Sequence, residues 1–315
     1  MSYRLLVTSL LLLCFSASAR SQVQIAEDDS AKLPSDAVTL FTMSAPVDEV
    51  RLNFTVTDKK GKFIKALTAD DFHLLDNVNP PERVLRFQAH SDAPLRVVML
   101  FDVSSSIRYR FDFERKAANH FLKHVLRPGV DQAAIISFGS QVHEVQPMTG
   151  DISLLTTAVS HLEPGGDTAL HDAVIRASHE LASQPADDRK IIIILSDGAD
   201  TISHAGSKDC MRGAISSEAT ILVVDASVPS EHDSPGERFL RKLAENSGGF
   251  VLPARLDSEL KDAFNSINSV IRNQYSLNYK PALFERNGGF RAIELTARKK
   301  GLIVHSRNGY YASPY

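Results

Sequence analysis

A doubly wound α/β domain with a mostly parallel sheet, flanked by a β-sandwich-like module built from both termini, is the fold this sequence predicts. Three observations lead to it. From about residue 95 to 275, continuous apolar runs alternate with amphipathic helical stretches, and strands without a polar face belong in sheets covered on both sides. On either side of that region the apolar period drops to two, the mark of strands with one wet face. The composition, 43% hydrophobic and 23% charged over 315 residues, is that of an ordinary globular chain with room for two domains.

Taken in order, residues 1–19 read as a signal peptide. Arg4 gives a positive start, Leu5 to Phe15 is an apolar run, and Ala17-Ser18-Ala19 offers a small-residue cleavage site. The run is too short for a membrane span, which needs about 18 apolar residues, and no later segment approaches that length. A protein exported to the cell envelope, the periplasm or the exterior, without a transmembrane helix, is therefore expected. Leu13, large and directly before Cys14, argues against lipid attachment there. Cleavage removes Cys14 and leaves Cys210 as the only cysteine. It is expected to be a half-buried spectator in a helical stretch with Met211 and Ala214, not a nucleophile. Residues 20–47, polar and without sustained period, read as a disordered leader.

An N-terminal β module is expected at 48–93. Val50, Leu52, Phe54 and Val56 alternate with Arg51, Asn53, Thr55 and Thr57, and Asp58-Lys59-Lys60-Gly61 closes the strand as a turn. Further short strands are expected at 63–67, 72–75 and 83–88, separated by Asp, Asn and Pro clusters. Asn53-Phe54-Thr55 matches a glycosylation triplet, but it lies inside a strand.

The α/β domain, 94–274, draws its strands from 96–101, 133–138, 191–195, 220–224 and 250–252. Phe113, Ala117, Phe121 and Val125 recur every four residues, and Leu260, Phe264, Ile267 and Ile271 recur at +4, +3 and +4, as the buried stripes of helices do. From 275 to 315 the period of two returns. Tyr275, Leu277 and Tyr279 form one strand, Ile293, Leu295 and Ala297 another, and 302–311 a last one, with Gly288-Gly289 and Lys299-Lys300-Gly301 as turns. Each flank alone has too few strands to bury a core. Because domain termini often lie close together, the two flanks are expected to pair into one module with the α/β domain inserted between them.

Function classes narrow next. With 35 Lys+Arg against 38 Asp+Glu and a net charge of −3, no nucleic-acid partner is expected. The sequence has neither a Gly-x-Gly-x-x-Gly nor a Gly-x-x-x-x-Gly-Lys phosphate loop, and no Gly-x-Ser-x-Gly elbow for a serine hydrolase.

Three segments place oxygen-bearing side chains where this fold class puts its ligands, at the carboxyl ends of strands. In Asp102-Val103-Ser104-Ser105-Ser106, extended backbone sends one carboxylate and two hydroxyls to the same side. Gly165-Gly166-Asp167-Thr168 brings a third hydroxyl on a glycine-lined approach to a helix, and Ser196-Asp197-Gly198 ends the most apolar strand. Taken singly, Ser104 or Ser106 reads equally as a helix N-cap, while Thr168 reads better as a cap than as a ligand and Asp197 better as a turn residue. Together, two carboxylates and three hydroxyls suit a hard divalent cation, Mg2+ or else Mn2+ or Ca2+, and the lack of His and thiolate argues against zinc. Hydroxyl ligands leave the ion's charge largely unneutralised, so that it attracts a carboxylate from another molecule.

Asp102-x-Ser104-x-Ser106, Thr168 within Gly-Gly-x-Thr-Ala-Leu, and Asp197 within Ile-Ile-Ile-Leu-Ser-Asp-Gly resemble the metal-ion-dependent adhesion site of von Willebrand factor type A domains. More closely, the chain is similar to the secreted von Willebrand factor A-related family described in Acidobacteria. Its further features are matched by Val56-Thr57-Asp58-Lys59-Lys60-Gly61, Leu67-Thr68-Ala69-Asp70-Asp71-Phe72 and Arg307-Asn308-Gly309-Tyr310-Tyr311, so the likeness spans about residues 48–312. The resemblance implies that Asp102, Ser104, Ser106 and Thr168 surround the ion, with Asp197 often acting through water. Two positions depart from the pattern: Asp167, where glycine is more common, and Ser105.

Around this set, His171 is expected to pack, Asp172 to cap or orient its helix, and Asp200 and Thr201 to form a turn and helix entry. Arg108 and Arg110 are expected as solvated charges near the rim. The function that follows is a non-enzymatic, metal-dependent, adhesion-type protein that captures an Asp or Glu carboxylate of a protein partner. The alternatives are a metal-assisted or serine hydrolase acting through Ser104, and a structural envelope module whose metal only stabilises the fold.

Overall fold

The computed structural model describes residues 49–89, 92–225, 227, 233–254 and 256–312; the expected signal peptide and leader lie outside them. The chain begins with three strands, β1 (Val50–Asp58), β2 (Phe72–Asp76) and β3 (Arg83–Ala89). An alternating series follows: β4 (Leu95–Asp102), α1 (Phe111–Val125), β5 (Gln132–Phe138), β6 (Val142–Thr149), α2 (Ile152–Ser160), α3 (Leu170–Ala182), β7 (Arg189–Ser196) and α4 (Ser207–Ser216). It continues through β8 (Thr220–Asp225), α5 (Pro235–Asn246), β9 (Phe250–Pro253) and α6 (Asp257–Arg272). Four strands close the chain, β10 (Tyr275–Lys280), β11 (Phe290–Ala297), β12 (Leu302–Ser306) and β13 (Gly309–Tyr311).

The six middle strands form one sheet in the order β6-β5-β4-β7-β8-β9, parallel except for β6. Alternate residues feed two cores, as the strand period requires. Val97, Met99 and Phe101 pack with α1, α2 and α6 on one face. Val98, Leu100, Ile192 and Ile194 pack with α3, α4 and α5 on the other. From β4 the chain turns to β5 on one side, and β7 enters on the other. The gap between the ends of β4 and β7 is thus the switch point at which this class of sheet opens a crevice.

The flanking strands interleave. The sheet β12-β1-β10-β3 takes β1 and β3 from before the α/β region and β10 and β12 from after it, and β13-β11-β2 is likewise mixed. Phe54, Phe72, Leu74, Tyr275, Leu277, Tyr279 and Leu295 fill the core between the two sheets.

Several sequence expectations need correction. Residues 63–67 form no strand beyond a bridge from Phe63 to Thr57. Instead, the Tyr275 hydroxyl donates to Ile64 O (3.0 Å) and accepts from Leu67 N (3.3 Å), satisfying the backbone without a ladder. The expected strand 302–311 is two, β12 and β13 in different sheets, because Arg307 turns inward between them to Glu218 (2.9 Å) and to Arg51 O (2.6 Å). The wet face of β1 is covered too: Thr55 and Thr57 are buried, and Thr57 Oγ1 meets His305 Nε2 (3.0 Å), whose ring lies against Phe250 of the α/β sheet. β6 and α2 were not anticipated; β6 is an edge strand whose Pro147 and register shifts break the alternation.

Candidate metal centre

β4 delivers Asp102 at its last residue, and the backbone stays extended only as far as Ser104; Ser106 lies inside a 3-10 turn, Ser105–Ile107, so that turn and not the expected strand alternation brings its hydroxyl to Ser104. Ser104 precedes a short 3-10 turn, yet its hydroxyl caps nothing there. It shares a hydrogen bond of 3.0 Å with Ser106 Oγ, which in turn donates to Asp197 Oδ2 at 2.8 Å. This chain of oxygens bridges the ends of β4 and β7 across the switch point. Beneath it lies Asp102, with no solvent exposure, accepting from Ser104 N (2.9 Å) and from Ser196 Oγ (2.7 Å).

The third segment is tied in through backbone. Ser105 N donates to Gly166 O (3.1 Å), and Thr168 O accepts from Thr201 N (2.9 Å) while Thr168 N donates to Thr201 Oγ1 (3.0 Å). Thr168 is thus held between two loops, and the helix behind it starts at Leu170 without its hydroxyl as a cap. Glycine is required at Gly166, whose φ is +97°, and where an added Cβ would stand 2.6 Å from Ser140 Oγ. The same holds at Gly198, φ +87°, which touches the backbone of Gly236 at the start of α5.

Ser104, Ser106, Thr168 and Asp197 line an open cleft of about 520 Å³, together with Asp167, Asp200 and Thr201. The structure therefore brings four of the five sequence-derived candidates to one cleft and sets the fifth, Asp102, directly behind its Ser104 wall. Asp197 also serves as the turn residue its motif suggests, since its Oδ1 accepts from Ala199 N (3.1 Å).

Electrostatics give the cluster a demand for positive charge. Burial pushes the Asp102 carboxyl up to about 6, against the hydrogen bonds from Ser104 and Ser196, and the Asp197 charge adds to the push. An oxygen-only donor set of two carboxylates and three hydroxyls suits a hard divalent ion. Among the described residues, no group of three or more His, Cys, Asp or Glu side chains is placed to hold a metal ion. A cation in the cleft would have to use the hydroxyls.

The surrounding residues part from expectation in places. His171 packs, edge-on to the Phe239 ring and 3.2 Å from Asp200 Oδ2. Asp172 does not serve its own helix; it accepts from His204 N (2.9 Å) and Ala205 N (3.0 Å). Asp200 and Thr201 stitch loops together, and the next helix begins only at Ser207. Asp167 is exposed on the rim. Arg108 reaches Pro164 O (3.3 Å), but Arg110, expected in solvent, is 4% exposed and faces the buried Glu114. Ser196 and Glu114 escaped the sequence reading: one sits in a strand that reads as pure core, the other in a helix where Glu ordinarily faces water.

A doubly wound sheet with hydroxyl-carboxylate loops at its switch point defines a class of ligand-binding α/β domains. Residues 97–199 match the family model of the von Willebrand factor type A domain, so the chain carries such a domain. Among solved structures, a von Willebrand factor type A protein from Catenulispora acidiphila is similar, with TM-score 0.51 and 14% identity over 78% of this chain and 75% of that one. The PilB minor pilin from Streptococcus sanguinis follows at TM-score 0.48 and 15% identity, over 62% of this chain and 63% of that one. Proximal thread matrix protein 1 from the mussel byssus, with a zinc-occupied MIDAS motif, has TM-score 0.45 and 16% identity, over 58% of this chain and 49% of that one. The chain thus spans less than two thirds of the pilin and about half of the byssus protein. No curated protein matches it.

Proposed function

We propose that the chain is a non-enzymatic binding protein of the cell envelope or exterior, and that it captures a carboxylate of a protein partner at a divalent metal ion, Mg2+ or a close substitute. Ser104, Ser106 and Thr168 would hold the ion through hydroxyls, and Asp102 and Asp197 through carboxylates. When bound, the ion supplies a Lewis-acidic position that a partner's Asp or Glu can occupy. The observation that carries this reading is the Ser104–Ser106–Asp197 oxygen chain across the switch point, with fully buried Asp102 behind it.

The chain's own residues set how the site works. Asp102 is fixed by the Ser104 amide and the Ser196 hydroxyl, so its free lone pairs keep one direction. The loops of Ser105 and Thr168 are tied by backbone bonds, which preorganises the cleft before a partner arrives. The open shape of the cleft admits a protruding side chain from another surface. A serine hydrolase would need a base at Ser104, whose hydroxyl instead meets Ser106 Oγ. Export rests on residues 1–19 of the sequence, and no described helix is long and apolar enough to cross a membrane.

The test is calorimetric titration with Mg2+ and Mn2+, followed by capture of envelope proteins with Mg2+ or with EDTA. Wild type should bind one ion, and Asp197→Asn together with Ser106→Ala should abolish binding while leaving the melting curve in EDTA near that of wild type. Equal affinity in the double variant would show that the ion sits elsewhere.

A further inference from the structure

Arg110 and Glu114 are four residues apart at the start of α1, and thus on one helix face. Such pairs ordinarily stand in water. Here the two residues are 4% and 1% exposed, and both carboxylate oxygens of Glu114 lack a hydrogen-bond partner within the protein. The charges that act on Glu114 are those of Arg110, Asp102 and Asp197. Burial works against the ionised form of Glu114, Arg110 favours it, and the charges of Asp102 and Asp197 add to the opposition. Buried charge without compensation is strongly unfavourable. A divalent cation held by Asp102 and Asp197 would offset their charge and favour the ionised form of Glu114 behind them.

We propose that Glu114 is a positioning residue of the metal centre: it completes the negative charge of the site from behind, without lining the cleft, and so strengthens cation binding. The proposal rests on the reading of the Asp102–Asp197 cluster as the metal site. Glu114 is absent from the residues lining the cleft, so its influence is exerted through the field it sets at Asp102 and Asp197. Arg110 offsets part of that negative charge.

A plain ion pair between Arg110 and Glu114 would have a different signature, because its loss weakens the fold whether or not metal is present. Two variants separate the two roles, Glu114→Gln and Glu114→Asp, each titrated with Mg2+ and Mn2+ and melted in EDTA and in excess Mg2+. For E114Q we expect metal affinity to fall roughly 10–100-fold, the range typical of groups that support metal ligands from outside. Its melting temperature in EDTA should equal or exceed that of wild type, and the rise produced by Mg2+ should shrink. E114D keeps the charge and should retain most of the affinity. Unchanged affinity in E114Q, equal losses in both variants, or failure of E114Q to fold in EDTA would each overturn the assignment. If wild type binds no ion at all, the metal-site reading itself falls, which is a distinct result.

Discussion

Asp102 shows how burial changes the meaning of a residue. As a loop ligand it would be replaceable by alanine without cost to the fold, but it accepts the Ser104 amide and the Ser196 hydroxyl in the interior. Asp102→Ala leaves both donors without a partner and should cost about 1–3 kcal/mol per orphaned group as well as metal binding; Asp102→Asn should retain more of the fold. Denaturant titrations of the two variants in EDTA check the difference. Cys210 is similar. It is expected to be half-buried but has no exposure and lies on the buried face of α4, in the core shared with α3. Burial pushes its thiol up to about 12, with the charges of Asp200 and Asp172 adding to the effect. Native protein should therefore react slowly with a thiol reagent and unfolded protein quickly. Cys210→Ser, which buries a hydroxyl, should cost about 1–3 kcal/mol, and Cys210→Ala less.

At the scale of elements, the α1 stripe shows what periodicity misjudges. A four-residue recurrence drifts around a helix of 3.6 residues per turn, so Phe113 and Ala117 end half-buried while Phe111, Glu114, Ala118, Phe121, Leu122 and Val125 form the buried face. The α6 stripe, stepping by +4, +3 and +4, stays on one face, and Leu260, Phe264, Ile267 and Ile271 are all buried. Where elements cross between modules, single side chains hold them. Arg189 at the start of β7 donates to Ala93 O (3.1 Å), on the entry into β4, and to Ile271 O (2.9 Å), on the exit from α6. His305 of β12 bridges the modules between Thr57 and Phe250, and its burial holds its pKa below the ordinary 6.5. A histidine depressed in the folded state contributes stability that is present above the unfolded pKa and is lost as pH falls through the folded one. Wild type should lose more melting temperature between pH 7 and pH 5 than His305→Gln, as paired thermal melts would show. A steeper loss in the variant would contradict this sign.

For the whole molecule, the critical strand is β10. It sits between β1 and β3, so the C-terminal flank supplies an interior strand, not an added edge. Deleting 275–315 strips β1 of both neighbours, and the N-terminal strands should become protease-sensitive while the α/β core stays protected; limited proteolysis with mass spectrometry reads this directly. Persistent protection of β1 and β2 would mean that the flanks fold independently. The same module is pinned by Asp76, which accepts from Tyr279 OH and Tyr310 OH, both at 2.8 Å, and from Arg291 Nε (2.9 Å). Asp76→Ala should cost about 3–5 kcal/mol, because it leaves a buried guanidinium uncompensated. Much of the terminal Arg-Asn-Gly-Tyr-Tyr motif is thereby explained as structure: Tyr310 bonds to Asp76, and Arg307 ties β1 to Glu218.

The alternating apolar runs by themselves determined the α/β core, because a strand covered on both faces has no choice but to be apolar throughout. The spacing of Asp102 and Ser104 likewise followed extended backbone past the strand end, whereas Ser106 reaches Ser104 through a 3-10 turn that the spacing did not show. Local signals end there. That Ser196 would hold Asp102, that Arg110 and Glu114 would be buried, and that Thr55 and Thr57 would be covered all depend on what packs across from them. Contacts between residues about 90 positions apart, such as Ser106 with Asp197, leave no trace in the local pattern of either segment. Only the tertiary structure decides which polar groups are removed from water, and that choice sets the charge of the candidate metal centre.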